Sequence, residues 1–302
     1  MTELKLNIPQ SFFEEEIREG YTVSTQMKKV WAVQLDLLAE FQRVCDKLSI
    51  NYIASGGTML GAARHGGFIP WDDDVDLMML REDYEKLLAY GNEFAHPYFL
   101  QTWTNDKGFF RCFARLRNSN TTAIQNMELY CGFKYNQGIF IDIFPMDSLT
   151  DDKALLEIQS KKAKKILRKA LFQSSFQSRY YKDKNIVKSL QRNLIKFFCS
   201  RFMNDEKTLK QYEDICKQYN NTNTEKVSLL SFQFGNRVHD IPRNDLMEIV
   251  ELDFEMLKIK VPKNYKEELT WKYGEWQVPS KSPSYHGELF FDTDKSYLEY
   301  IK

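Results

Sequence analysis

Apolar residues repeat at helical spacing between positions 30 and 48. They recur at steps of three or four positions, with two adjacent pairs, and share one helix face: Val30, Val33, Leu37, Leu38, Phe41, Val44, Cys45 and Leu48. Ser24 or Thr25 precedes this stretch and can cap its first turn. We therefore predict a long amphipathic helix here, preceded by a loosely structured arm over residues 1–22.

The next hundred residues alternate between short apolar runs and helical patterns. NYIASGG and DDVDLMML are typical of strands, whereas TMLGAARHG and REDYEKLLAYGNEF have helical character. Further on, YFLQTW and FFRCFARLR indicate paired strands, and GIFIDIFPMDSL indicates a buried strand that ends at Pro145. This order predicts an α/β (α+β) fold, with a mixed sheet flanked by helices over residues 23–150.

The second half of the chain has a different character. We expect residues 151–219 to form a basic helical region, and residues 220–302 to form a helical and loop region that completes the site. The chain has 42 Lys or Arg and 42 Asp or Glu. Between positions 153 and 201, however, fourteen basic residues accompany only two acidic ones. This asymmetry indicates an anionic partner, such as anionic lipid or a lipid-linked glycan precursor; the ordinary alternative is a solvated basic surface.

Several function classes are disfavoured by composition. The N-terminus has no apolar segment typical of secretion signals, and no apolar run reaches the length that spans a bilayer. The five cysteines are scattered without metal-binding spacing and indicate reduced thiols. We expect a cytoplasmic protein, peripheral at the inner membrane face if the basic region binds lipid. Nucleic acid is not an expected partner, because no aromatic and basic RNA motif is present.

Four aspartates are crowded into the segment DDDVD directly after a glycine-rich turn. On a strand, Asp72, Asp74 and Asp76 would share one face, and Asp73 would point away. Asp142 lies in another apolar strand, where an uncompensated charge would be costly. Together these carboxylates fit a magnesium site whose remaining positions are filled by phosphate oxygens.

The turn before the aspartates is suited to phosphate binding. Ser55, Gly56 and Gly57 lead into a helix start near Thr58, where free N–H groups and the helix dipole favour anions. Arg64 can add a bidentate phosphate contact, and the neighbouring His65 is a further candidate for binding the substrate. Trp71 or Phe68 could stack on a nucleotide base.

Ordinary explanations exist for each feature taken alone. An Asp-rich strand end can be solvated, and His65 can simply hold its loop by hydrogen bonds. Arg115 and Arg117 are further phosphate-binding candidates, although alternate arginines on a strand often face solvent. A calcium loop is disfavoured, because Leu77 and Asp83 replace its required Gly and Glu. The combination of these features favours a metal- and phosphate-binding site over the ordinary structural roles.

The segment SGGTMLGAARHGGFIPWDDDVDLMM resembles the signature of the LicD family, bacterial phosphotransferases that decorate cell-surface glycans. GIFIDIFPMD is similar to a second family motif, and YKEELTWKYGEWQVPS with SYHG is similar to a C-terminal one. The resemblance implies a nucleotidyltransferase-like fold. It also implies a metal pair at Asp74 and Asp76, a third carboxylate at Asp142, and support from Asp72 through water.

The resemblance further implies a reaction. A CDP-linked alcohol, such as CDP-choline, would donate its phospho-alcohol group to a sugar hydroxyl and release CMP, with Mg²⁺ or alternatively Mn²⁺. Asp142 is the candidate base and His286 a weaker one, and Arg64 would stabilise phosphoryl oxygens. The acceptor would be teichoic acid, lipopolysaccharide, capsule or a lipid-linked precursor. In this comparison Tyr273, Gly274 and Trp276 are expected to pack around Pro279.

Two other classes of function remain open at this stage. An ordinary nucleotidyltransferase would move NMP to a small molecule or protein and release pyrophosphate. A non-catalytic nucleotide- or glycan-binding relative is disfavoured, because clustered anions contribute little to such binding.

Overall fold

A computed structural model describes residues 1–125, 133–174, 186–202, 205–222, 224–231, 240–280 and 289–301. The helices are α1 (Thr25–Leu48), α2 (Gly56–His65), α3 (Arg81–Ala89), α4 (Lys153–Ser174), α5 (Ile186–Phe202), α6 (Asp205–Cys216) and α7 (Tyr265–Tyr273). The strands are β1 (Glu16–Arg18), β2 (Tyr21–Val23), β3 (Ile53–Ala54), β4 (Asp76–Leu80), β5 (Tyr98–Gln101), β6 (Ala114–Asn118), β7 (Thr122–Gln125), β8 (Ile139–Leu149), β9 (Lys226–Ser228), β10 (Ile241–Pro242), β11 (Ile249–Phe254), β12 (Leu257–Pro262) and β13 (Leu289–Asp292).

Seven of these strands form one sheet with the long strand β8 at its centre. The order is β10-β9-β8-β4-β3, and β6 pairs with both β8 and β5. β4 runs parallel to β8, whereas β6 and β9 run antiparallel to it. The sheet is therefore mixed and flanked by helices, which confirms the predicted fold class.

Helix α1 supplies much of the core beneath this sheet. Ser24 caps it by accepting a hydrogen bond from the Met27 N–H at 3.2 Å. The predicted apolar stripe is buried apart from Leu48, and the helix packs against β8 and β6. The long amphipathic helix predicted from periodicity is confirmed.

Two strand boundaries differ from the prediction. β4 begins at Asp76, so the preceding aspartates form a loop. Side chains of α1 satisfy backbone carbonyls of that loop, so a strand ladder is not needed there. β8 continues through Pro145, which falls between the segment paired with β6 and the segment paired with β9. Proline is tolerated in a strand where its missing N–H costs no ladder bond.

The C-terminal region is less helical than predicted. Residues 249–262 form the antiparallel hairpin of β11 and β12. Among the residues described after position 240, only α7 is an α-helix. The apolar residues of this hairpin alternate with polar ones, which is the pattern of a strand. Residues 1–22, predicted as a loose arm, include the hairpin of β1 with the start of β2.

A buried ion-pair network joins the sheet to the basic helical region. Arg81 at the start of α3 donates to both carboxylate oxygens of Asp147 on β8, at 2.8 and 2.7 Å. The same guanidinium donates to Glu213 on α6 at 2.9 Å. The Asn220 side chain also donates to Asp147, at 2.7 Å. Within the described residues, no helix is long and apolar enough to cross a membrane.

Candidate active site

Three neighbouring strands bring two carboxylates and a guanidinium into one row. Asp76 on β4 is the register partner of Asp142 on β8, and Asp142 is also the register partner of Arg115 on β6. In-register residues on adjacent strands project from the same face, with strands about 4.8 Å apart. Asp142 therefore lies on the strand next to the one that carries Asp76, as predicted.

Arg115 is bound tightly to Asp142. Its Nε donates to Oδ1 at 2.6 Å, and one terminal nitrogen donates to Oδ2 at 3.3 Å. The guanidinium also stands 3.7 Å from the centre of the Phe140 ring. Arg117 donates to the Gln101 side chain and to the Gly138 carbonyl. Both arginines are buried, so the alternative that they face solvent is wrong.

The aspartate loop is held by helix α1. The Trp31 indole N–H donates to the carbonyl of Asp72 at 2.9 Å, and Gln34 donates to the carbonyl of Asp73 at 2.7 Å. Each of Asp72, Asp73 and Asp74 offers a carboxylate oxygen, and these oxygens all lie within 4.8 Å of one another. Asp73 therefore does not point away, because the loop lacks the strict alternation of a strand.

The electrostatics show that the cluster extends from the loop into the sheet. Burial, followed by repulsion from Asp74, raises the pKa of Asp72 well above its ordinary value. Burial, then repulsion from Asp74, Asp142 and Asp72, raises the pKa of Asp76 well above its ordinary value. Arg115 opposes this rise at Asp76. The four carboxylates thus repel one another in a poorly solvated space, and a cation would relieve that repulsion.

The glycine turn lies against this cluster. The Ser55 N–H donates to the Asp76 carbonyl at 3.0 Å, and the Asp76 N–H donates to the Thr58 hydroxyl at 2.8 Å. Gly56 has a φ of +53°, a conformation that favours glycine. A Cβ placed on Gly57 would lie 2.5 Å from Oδ2 of Asp72. The start of α2 and the aspartates therefore approach each other too closely for a side chain at Gly57.

Arg64 and His65 form a tether at the end of α2. Arg64 Nε donates to His65 Nε2 at 2.9 Å, and another guanidinium nitrogen donates to the Trp276 carbonyl at 2.9 Å. Burial, then the adjacent Arg64 charge, lowers the pKa of His65. The imidazole is therefore mainly neutral at pH 7 and accepts the Arg64 hydrogen bond. The geometry links α2 to the C-terminal region.

The loop that follows α2 is held by residues from two distant parts of the chain. Arg18 of β1 donates to the Phe68 carbonyl at 2.9 Å and to Glu255 at 2.8 Å. The Phe68 N–H donates to Glu255 at 3.0 Å, and the Glu255 N–H donates to the Gly66 carbonyl at 2.6 Å. The N-terminal hairpin and the β11–β12 turn thereby fix the path of the chain towards the aspartates.

The two aromatic candidates for base stacking differ. Phe68 is buried and stacks on Trp31, with ring centres 4.6 Å apart, so it is not available to a nucleotide. Trp71 is partly exposed and meets Tyr21 edge to face at 5.9 Å. His286 lies outside the described residues.

Sequence reasoning missed three residues at this site. Trp31 and Gln34 looked like ordinary members of α1, although a glutamine on an apolar helix face is a signal of a specific hydrogen bond. Tyr273, expected only to pack, lies near the carboxylates. Burial, then the charges of Asp76 and Asp72, raises the pKa of Tyr273 to about 12.

The donor set fits a hard divalent cation. The candidate ligands are all carboxylate oxygens, which Mg²⁺ and Mn²⁺ prefer. Arg115 occupies one acceptor position on each oxygen of Asp142, and a carboxylate offers about four such positions, so Asp142 can still act as a ligand. The repulsion described above is the physical reason why such an ion would be bound.

Comparison with known proteins agrees with this geometry. Residues 49–153 match the family described as LicD/FKTN/FKRP, nucleotidyltransferase domain. The Haemophilus influenzae lipopolysaccharide cholinephosphotransferase LicD is 26% identical over 256 residues, which is 81% of this chain and 88% of that protein. Over 40 residues, or 13% of this chain, the ribitol 5-phosphate transferases FKRP of Homo sapiens and Mus musculus are 52% identical, covering 8% of each relative.

The matched region contains the glycine turn, the aspartate loop and strands β4, β6 and β8. It therefore covers the whole row of Asp76, Asp142 and Arg115. The alignment to the Haemophilus protein extends well beyond this region into the rest of the chain. On these grounds residues 49–153 form a LicD-type domain, and the protein is a LicD-like phosphotransferase of mixed α/β fold.

Proposed function

We propose that the protein transfers a phospho-alcohol group from a CDP-linked donor to a sugar hydroxyl and releases CMP. The acceptor is a cell-surface glycan or its lipid-linked precursor. Relatives whose names describe choline phosphate and ribitol 5-phosphate transfer support the phospho-alcohol class. The observation that carries the proposal is the row of Asp76, Asp142 and Arg115 beside a glycine turn at a helix start.

In this proposal Asp72, Asp74, Asp76 and Asp142 hold Mg²⁺, with Mn²⁺ as a substitute. The bound ion would supply positive charge to the phosphate oxygens of the donor. The structural support is the mutual repulsion of these carboxylates and their all-oxygen donor set. Asp73 also lies in the loop cluster and is an additional candidate ligand.

The glycine turn would bind the donor pyrophosphate. Backbone N–H groups at the start of α2 point out of the helix end and favour an anion there. The absence of a Cβ at Gly57 leaves room for the Asp72 carboxylate, a candidate metal ligand, beside that helix start. Arg115 adds positive charge at the neighbouring strand. Arg64 is less suited to direct phosphate binding than the sequence suggested, because two of its nitrogens already hold His65 and Trp276.

The proposed chemistry is a substitution at the β-phosphorus. The acceptor oxygen forms a new bond to that phosphorus, and the bond to the bridging oxygen breaks, so its electron pair leaves with CMP. The acceptor proton passes to a base. Both oxygens of Asp142 accept hydrogen bonds from Arg115, which favours orientation of the hydroxyl over proton removal as its role.

A thermal-shift experiment tests the donor class. CDP-choline, CDP-ribitol and CDP-glycerol are each added with and without Mg²⁺. A ligand at one hundred times its Kd stabilises the folded state by about 2.7 kcal/mol, so the correct donor gives a clear rise in Tm that needs Mg²⁺.

Product analysis with the stabilising donor then separates the two transferase mechanisms. Attack at the β-phosphorus releases CMP, whereas NMP transfer from a nucleoside triphosphate releases pyrophosphate. Stabilisation by CTP alone with pyrophosphate release would overturn the proposal. The variant Asp76→Asn should lose the Mg²⁺-dependent shift, and the exposed-site variant Asp253→Asn is the control.

A further inference from the structure

Helix α5 is two-faced at the level of sequence. Ile186, Leu190, Leu194 and Phe197 recur at steps of four or three residues and therefore share one helix face. Basic residues occur at positions 188, 192 and 196, also four apart, and each lies two positions from a member of the apolar row. A step of two residues is about 200° around a helix, so the basic row lies opposite the apolar row.

Three apolar residues of this row on α5 are exposed in the described structure. Ile186 is 77% exposed, Leu190 is 61% exposed and Leu194 is 52% exposed. Exposed leucines and isoleucines scattered singly are ordinary on protein surfaces, but a continuous row on one helix is not. Among the described helices and strands, none packs against α5 as extensively as α4 and α6 pack against each other.

Helix α4 is also basic, but its apolar face is buried. Its apolar residues pack with α6 in a buried cluster that includes Ala163, Ala170, Leu209 and Tyr212. Its lysines, such as those at positions 161, 162, 164 and 165, are exposed on the remaining surface. For α4 the basic residues are therefore a solvated face. α5 differs, because its basic row accompanies an apolar face that is exposed.

We propose that α5 binds in the plane of an anionic membrane surface, with its apolar row among the acyl chains and its basic row towards the headgroups. The argument for lipid is charge complementarity: the 17 residues of α5 include four Lys or Arg and no Asp or Glu. An apolar face combined with a basic face is the pattern of helices that bind anionic bilayers at the interface. This surface is separate from the carboxylate cluster, and the proposal does not depend on the donor or reaction proposed above.

Vesicle flotation tests this surface. The full-length protein is mixed with vesicles containing phosphatidylglycerol or with vesicles of phosphatidylcholine alone, at low and high salt. Wild type should float with anionic vesicles and much less with neutral ones, and salt should weaken the binding. The double variant Leu190→Ser/Leu194→Ser should reduce anionic vesicle binding by about tenfold or more, because two large apolar side chains no longer enter the bilayer.

A matched control removes two exposed apolar side chains elsewhere. Met247 is 57% exposed and Leu298 is 64% exposed, so Met247→Ser/Leu298→Ser changes a similar area outside α5. The control should bind vesicles like wild type, and both double variants should keep the wild-type Tm. Equal vesicle binding by the α5 variant and the control would overturn the proposal. So would light scattering that shows a wild-type dimer dissociated by the α5 changes, because a second copy would then be the occupant.

The vesicle-binding test does not depend on whether the reaction proposed above is correct. CMP release from the donor with a water-soluble acceptor should be the same in wild type and in the α5 variant. If no CMP-releasing activity is found, vesicle binding still decides the role of α5.

Discussion

Replacement of Gly57 by alanine is a sharp test of the site because the perturbation is local. A Cβ at this position would lie 2.5 Å from Oδ2 of Asp72, whereas its contact with Ile69 is an ordinary 3.8 Å. The group that must move is therefore the end of a flexible aspartate side chain. The backbone of Gly57 does not adopt a positive φ, so alanine is acceptable to the chain itself.

The structure gives the size of the displacement. An ordinary contact begins at 3.4 Å, so the Asp72 carboxylate must retreat by about 0.9 Å from its position at 2.5 Å. Misplacement of a catalytic group by about 1 Å can lower activity about 10²-fold. Alanine is also favoured over glycine within a helix by about 0.5–1 kcal/mol, so the folded state should not be weakened. We therefore expect kcat/KM to fall about 10²-fold while Tm stays level or rises slightly.

The assay is CMP release measured beside a thermal melt of the same preparation. Gly91→Ala is the matched control, because its added Cβ meets only Leu100, at an ordinary 3.5 Å. That control should keep wild-type kcat/KM. Activity of Gly57→Ala within threefold of wild type would refute the idea that Asp72 must sit against the glycine turn.

Three other predictions concern the surrounding structure. Arg81→Met should lower the free energy of unfolding in urea by about 3–5 kcal/mol, because fully buried Asp147 loses its paired charge; a loss below about 1 kcal/mol would contradict this. Arg115→Lys should lower kcat/KM about tenfold or more with little change in Tm, because lysine cannot bind Asp142 through two nitrogens; unchanged kcat/KM would contradict this. The lowered pKa of His65 means that its neutral form stabilises the fold above its ordinary pKa of about 6.5, and this contribution is lost as pH falls. Between pH 7 and pH 5 the Tm of His65→Gln should therefore fall less than the Tm of wild type, and the difference in free energy of unfolding should be less than about 1 kcal/mol. An equal fall in Tm for the two proteins would contradict this prediction.

Local pattern was sufficient to place the main carboxylates. Asp142 stands out because it is the one charged residue within the apolar run GIFIDIF, and Asp76 opens a strand of the same kind. Buried strands of this type pair in a common sheet, so their charged residues can be expected to meet. The register of β4 and β8 confirms that expectation.

The contacts between distant segments could not be read from local pattern. Trp31 and Gln34 satisfy the carbonyls of Asp72 and Asp73, and this releases the aspartate loop from strand geometry. Hydrogen bonds of this kind join positions about forty residues apart and leave no periodic trace. The prediction that Asp73 points away was wrong for this reason.

The burial of Arg115 depended on a pairing that composition does not reveal. An arginine on a strand is usually exposed, but Arg115 faces Asp142 across β6 and β8 and lies over the Phe140 ring. The β11–β12 hairpin was missed because its alternating residues were assigned to a helical region as a whole. Glu255, in the turn of this hairpin, accepts a hydrogen bond from the Phe68 N–H and so holds the loop after α2.

The central claim is that clustered carboxylates support metal-dependent transfer from a CDP-linked alcohol. The most direct measurement is CMP formation from the stabilising donor, with acceptor membranes, for wild type, Asp76→Asn and the control Asp253→Asn. We predict CMP without pyrophosphate, dependence on Mg²⁺, and a loss of about 10³-fold or more in Asp76→Asn alone. Near-normal CMP formation by folded Asp76→Asn, or formation that persists in EDTA, would contradict the account.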